Sequence, residues 1–292
     1  MGIKFRLIVM NFLQYAIWGS WLISLGAYLG GGLDFTGLQI GSFFATMGVA
    51  SLFMPAVMGI IADRWIPAQK LLGICHLVSG GFLIAAASQT AYGPLYSCML
   101  LSVMFYMPTI ALSNSVAYNA LDLARLDTVK HFPPIRVWGT VGFIAAMWFV
   151  DLTHIGGVQI KLTEWQLYVS AVLSFLLSVY SFSLPGCPVD RNVKARSWVD
   201  TLGLRAFTLF KEKRMAIFFV FSMLLGAALQ ITNAFGDSYI QSFGSMPQYA
   251  DSAIVKHSVI LLSLSQMSET LCILLIPFFL RRFGIKKVML IS

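Results

Sequence analysis

Residues 71–90 read LLGICHLVSGGFLIAAASQT, twenty positions without one Asp, Glu, Lys or Arg. At about 1.5 Å per residue, a helix of that length matches the roughly 30 Å hydrocarbon core of a bilayer. Stretches of the same kind recur near residues 7–29, 38–62, 94–118, 134–152, 165–184, 215–240 and 255–280. Together they predict an all-α membrane protein with eight transmembrane crossings. The composition agrees: of 292 residues, 58% are hydrophobic and 11% charged, against roughly half and a quarter in soluble domains. Lipid is the solvent that suits such a chain.

The net charge of +8 does not point to nucleic acid. A basic binding face clusters its charge among exposed aromatics, whereas these basic residues lie between apolar spans. Cys75, Cys98, Cys187 and Cys272 are scattered, with no CxxC pair and no metal-like spacing to the four histidines. Neither a disulfide framework nor a metal site is expected. His76, His131, His154 and His257 fall at or near predicted span ends, which argues against an intramembrane proton relay. There is no Walker loop, and no cofactor is expected. The first apolar run carries Asn11, Gln14, Trp18 and Trp21 without a small-residue cleavage site. It reads as a first transmembrane helix rather than a signal peptide.

Orientation follows from the basic residues, because short cytoplasmic loops carry the excess of Lys and Arg. The N-terminus and the connections after helices two, four, six and eight hold 18 of the 20, with Lys161 and Lys256 the exceptions. An inner-membrane protein with a cytoplasmic N-terminus is expected. The stretch 185–214, rich in Pro, Arg and Lys, reads as a cytoplasmic linker between a six-helix half at 1–184 and an incomplete second half at 215–292. A new apolar run at 288–291 reads as the start of a ninth helix, so the expectation is part of a longer chain. Residues 59–64, GIIADR, followed by Lys70, are echoed by residues 281–287, RRFGIKK, and each turn follows a helix marked by a proline, Pro55 or Pro277. A duplicated transporter would show this echo, although positive-inside charge alone would also produce it.

Polar side chains inside the spans are functional candidates, since an ionisable or amide group in hydrocarbon needs a cavity or a partner. In helix five, Arg136, Thr140 and Phe143 lie at i, i+4 and i+7, on one helical face. Helix seven has Gln230 and Asn233 at i and i+3, and helix eight has Gln266 and Glu269 at the same spacing. Glu269 is the sole carboxylate this reading places deep in the bilayer. Arg136 follows Pro133 and Pro134, so it also reads as a snorkelling or topology-setting arginine, with Thr140 and Phe143 as packing residues. The amides also serve as interhelical glue, and the same holds for Asn11, Gln14 and Asn114. Gly80 and Gly81 fit close helix approach. All three faces are expected to converge on one polar cavity.

Several of these stretches carry a resemblance. FLQYAIWGSW at 12–21, FPPIRVWGTVGF at 132–143, MAIFF at 215–219 with LQITN at 229–233, and SQMSET at 265–270 are similar to the nucleoside:proton symporter family of the major facilitator superfamily. The match runs along essentially the whole chain. It implies a bundle of twelve helices in two six-helix halves, eight of them present here, working by alternating access around a central site. It further implies nucleoside and protons as partners, within a lipid bilayer, and a monomer when full length. Carried over residue by residue, the family's nucleoside contacts fall on Arg136, Thr140, Phe143, Gln230, Asn233, Gln266 and Glu269, with Glu269 the expected proton-coupling residue. The family's aromatic site residues on helix ten lie beyond Ser292. The turn at 59–64 resembles the superfamily's cytoplasmic motif but lacks its usual glycine and second arginine after Arg64.

Amides that both donate and accept, beside an aromatic face, suit a neutral nucleoside. They would also suit a sugar or another polar solute, and a non-transporting nutrient receptor would use the same groups. A membrane-embedded enzyme is disfavoured, since no HExxH, Ser/His pairing or paired carboxylates stand out. The charge distribution has a direct test. A cysteine introduced at Asn192 should resist an impermeant thiol reagent in intact cells and react once the cells are permeabilised.

Overall fold

The computed structural model of the chain describes residues 2–189, 210–249 and 251–291. Eight long helices form along it: α1 Ile3–Gly19, α2 Gly37–Arg64, α3 Ala68–Ala87, α4 Tyr92–Leu123, α5 Thr128–Leu152, α6 Trp165–Ser181, α7 Lys213–Ser242 and α8 Ser258–Ile291. Helices dominate because lipid offers the backbone no hydrogen-bond partner, and an α-helix satisfies its own N–H and C=O groups. Among the described residues, α2, α3, α4, α5 and α7 are long and apolar enough to cross a membrane. α1 and α6 are shorter, at 17 residues each. Most of the expected linker, residues 190–209, lies outside the described residues.

Helix starts are set by local chemistry. Thr36 caps α2 with a capping box: its hydroxyl accepts from the Gln39 N–H (3.4 Å), and its own N–H donates to Gln39 Oε1 (2.9 Å). Asp127 Oδ1 accepts the Val129 N–H (2.9 Å) and the Lys130 N–H (3.4 Å). That cap begins α5 at Thr128 rather than at the expected 134, so Pro133 and Pro134 lie inside the helix. The two-residue strands His154–Ile155 and Val158–Gln159 are joined by Gly156 and Gly157, whose φ of 60° and 84° suit a tight hairpin.

The first six helices share one core. α1 runs along α5 and α6, α2 along α4, and α3 along both α4 and α6. Without a hydrophobic drive between helices in lipid, association relies on small residues and interhelical hydrogen bonds. α6 shows both devices. Its buried hydroxyls reach neighbouring carbonyls: Ser170 to Ile17 (2.8 Å), Ser174 to His76 (2.9 Å) and Ser178 to Gly73 (2.7 Å). Gly80 lies close against Phe175 on the same interface, whereas a Cβ at Gly81 would meet nothing within 4 Å.

His76 departs from its expected place at a span end. It lies inside α3, fully buried, and its Nε2 donates to Gln14 Oε1 (2.8 Å). Gln14 Nε2 donates to the Thr109 hydroxyl (2.7 Å), and the Tyr106 hydroxyl donates to the Gln14 carbonyl (2.6 Å). Gln14 is thus interhelical glue, and each link of the network removes the cost of a bare polar group.

The first span is also more broken than expected. α1 ends at Gly19, and helical structure resumes at Leu25–Ala27 and a π-turn over Tyr28–Gly32. Neighbouring backbones come close on either side of the interruption. A Cβ at Gly19 would strike the Phe143 carbonyl, one at Gly142 would strike the Phe12 carbonyl, and one at Gly26 would lie 2.7 Å from the Ala234 oxygen. In the interrupted segment, Ser20 donates to the Ile17 carbonyl (2.8 Å) and Ser24 to Gln166 Oε1 (2.8 Å). In α8, Gly284 at φ 73° breaks the helix, and residues 285–291 resume it.

One end of the bundle gathers the N-terminus, the start of α3 and the ends of α4 and α6. The Arg6 guanidinium donates to the Ser183 carbonyl, Asn119 Nδ2 to the Gly186 carbonyl (3.2 Å), and the Cys187 N–H to Gln69 Oε1 (2.9 Å). Burial pushes the Cys187 thiol above its ordinary pKa, against the lowering effect of Gln69 and Asn119. The close approach of α1 and α5 is testable. Gly142→Ala should destabilise the protein by about 1–3 kcal/mol through overpacking, read as a lower Tm in detergent. Gly81→Ala should leave Tm unchanged or slightly higher.

Candidate functional site

α1 and α5 bring the two aromatic-rich stretches of the sequence together. Because Gly139 lacks a Cβ, which would lie 2.5 Å from the Tyr15 ring, the Arg136 guanidinium can lie over that ring at 3.8 Å. A cation on an aromatic face is held without losing its donors to a carboxylate. One turn further along α1, Trp18 meets buried Phe143 edge-on, with centroids 6.4 Å apart, and leans on Tyr106 at 6.0 Å.

Trp18 faces a cavity of about 750 Å³ between α2 and α7, lined also by Phe44, Met47, Met107, Gln230 and Phe235. Gly41 and Gly48 of α2 and Gly226 of α7 leave room there, since a Cβ at any of them would meet nothing within 4 Å. The volume is that of a small-molecule site. Its walls are apolar, yet the buried Trp18 Nε1 and Gln230 Nε2 have no hydrogen-bond partner in the protein. An unpaired buried donor is costly, and both donors belong to side chains that line the cavity.

Of the seven expected contacts, Gln230 lines this cavity and Phe143 backs it through Trp18. Arg136 and Thr140 are half-buried on α5 and are not among the residues lining the cavity, and Asn233 is half-buried one turn beyond Gln230. Gln266 is half-buried on α8, and Glu269 is exposed. Among the described residues, Arg136 and Glu269 form no ion pair. The carboxylates enclosed by protein are Asp151 and Asp237, each fully out of contact with solvent. Both lie near helix ends, where a sequence reading by depth passes over them. Trp18 and Tyr15 were missed because tryptophan and tyrosine in a span usually anchor or pack. The tight WGTVGF spacing was the available signal.

Apolar helices packed through small residues and buried hydroxyls, around a cavity with unpaired donors, define an all-α membrane transporter. A family described as "Nucleoside H+ symporter" matches residues 1–292. The chain is 53% identical over 292 residues to the xanthosine permease of Escherichia coli K12, and 48% identical to that organism's nucleoside permease NupG. Both matches cover 100% of this chain and 69% of the relative. Two crystal structures of NupG, one of them a point mutant, align with TM-scores of 0.86 and 0.90 at 48% identity, over 99% of this chain and 70% of theirs. The chain belongs to the nucleoside:proton symporter family. It is a transporter and not an enzyme.

Proposed function

We propose that this protein carries nucleosides and protons together across a bacterial inner membrane by alternating access between the halves 1–184 and 215–292. Arg136, Thr140, Phe143, Gln230, Asn233, Gln266 and Glu269 contact the nucleoside, and Trp18 joins them. The N-terminus and the linker at 185–214 are cytoplasmic. The observation that carries this reading is the cavity with two unpaired buried donors, Trp18 Nε1 and Gln230 Nε2. A nucleoside supplies what they lack: ribose hydroxyls and base carbonyls that accept, and a flat base for Phe143 and Trp18 to face. Arg136 keeps its donors available because it lies on a ring rather than in an ion pair.

Glu269 lies at mid-length of α8, on a side chain with no ion-pair partner among the described residues. A carboxylate there is a group that can take up a proton when it faces hydrocarbon and release it when it meets water or a cation. Rocking of the two halves would change which of these it meets.

Two measurements test the reading. Gln230→Ala and Asn233→Ala should each weaken nucleoside binding by roughly 2- to 13-fold, the loss of a hydrogen bond worth about 0.5–1.5 kcal/mol, read by calorimetry on purified protein. Unchanged affinity in both would return these residues to helix packing. Glu269→Gln should retain binding and exchange yet lose accumulation driven by an imposed pH gradient in proteoliposomes. Accumulation at the unsubstituted level would move the coupling elsewhere.

A further inference from the structure

The two basic residues that break the charge rule, Lys161 and Lys256, lie together at the end of the bundle opposite the N-terminus. Lys161, in a 3₁₀ turn at Ile160–Leu162, is 1% exposed, and its ammonium lies 2.5 Å from Asp151 Oδ1 at the end of α5. The same ammonium reaches across to the chain entering α8, donating to the Lys256 carbonyl (2.8 Å) and the Ser258 hydroxyl (3.3 Å). Ser258 in turn donates to Asp237 of α7, whose other oxygen accepts from Gln241 (2.9 Å). Asp151 Oδ2 accepts from His257 Nδ1 (2.6 Å), and Gln159 Nε2 donates to the Asp151 carbonyl (2.8 Å). The Lys256 ammonium turns outward to Asp251 and offers the cluster its carbonyl alone.

We propose that Lys161, Asp151 and His257 form a latch that holds α7 and α8 against the first six helices at this end, and that transport requires it to open. The proposal rests on the alternating-access reading above. Its chemistry is that of a reversible seam. A buried ammonium needs acceptors all around it, and removing one partner of such a pair is far more damaging than separating a solvated one. On opening, each buried acid keeps hydrogen-bond donors on its own side of the seam, and Asp237 exchanges the nearby Lys161 charge for water. Lys161 keeps Asp151, both on the first-half side, while Asp237 keeps Ser258 and Gln241 on the other. The contacts that must break include those of Lys161 with the Lys256 carbonyl and Ser258, of Asp151 with His257, of Gln159 with the Lys256 carbonyl (3.4 Å) and of Trp148 with Ser263 (2.9 Å). Water replaces them at the rim of the opened seam. Lys161 and His257 thus act as positioning residues, deciding which end of the path is closed.

The test is a distance. Spin labels at exposed Val158 and Ile254, on opposite sides of the seam, are read by pulsed EPR in nanodiscs with the native cysteines replaced by serine. Lys161→Met, which leaves two acids facing each other across the seam, should raise the ratio of open to closed populations by about tenfold or more. His257→Ala, at a partly exposed position that tolerates truncation, should raise it severalfold. Neutralising both acids as well, in Lys161→Met/Asp151→Asn/Asp237→Asn, should restore the short distance, a rescue that mere damage to packing would not show. Unchanged distances in both single variants, or an opening that the triple variant fails to reverse, overturns the latch. Loss of nucleoside binding by the unsubstituted protein would overturn the functional reading and leave this distance readout intact. The measurement is equally independent of which end faces the cytoplasm.

Discussion

The contact of α1 with α5 governs both the packing of the bundle and the geometry of its site. Gly19 lies against the Phe143 backbone and Gly142 against the Phe12 backbone, so the two helices approach more closely than any side chain would permit. In lipid such an approach is what dispersion and backbone contact reward, because apolar side chains gain little by leaving a solvent as apolar as themselves. The same approach places Arg136 over Tyr15 and Trp18 against Phe143. The first span is interrupted beside this contact: α1 stops at Gly19, and Ser20 and Ser24 take up hydrogen bonds in the interruption.

Polar groups inside this protein divide into three kinds, and their partners tell them apart. Gln14, His76, Thr109 and Tyr106 are bonded to one another, as are the serines of α6 to facing carbonyls, and these tie α1, α3, α4 and α6 together. Asp151, Lys161, Asp237 and His257 are bonded across the seam to α7 and α8, where strong but separable contacts are useful. Trp18 Nε1 and Gln230 Nε2 have no protein partner and belong to side chains that line the cavity. Membrane residence sharpens the distinction, since no bulk water stands ready to satisfy an idle donor. A transporter needs all three: a rigid body, an interface that parts, and a site that waits for its ligand.

The sequence by itself determined the solvent, the fold class and the family. Runs such as 71–90 without charge have no comfortable place except hydrocarbon, and the helix is the local solution to a backbone without water. Helix identity was legible for all eight elements because hydrophobicity and chain length are local properties. The candidate faces on α5, α7 and α8 were legible too, since i, i+3, i+4 and i+7 spacing follows from helical geometry alone.

Tertiary structure alone decided which polar groups meet. Depth along a span marked His76 as peripheral, yet His76 lies fully inside, because burial depends on what the neighbouring helices bring. Lys161 and Lys256 read as exceptions to a charge count, and no local pattern ties them to Asp151, 10 positions before Lys161 and on another element, or to Asp237 on α7. The start of α5 was missed because the Asp127 cap outweighed two prolines. Periodicity records which way a side chain faces on its own helix. Which partner awaits it there is a property of the distances between helices, and those are set by glycine, serine and the backbone atoms they allow to touch.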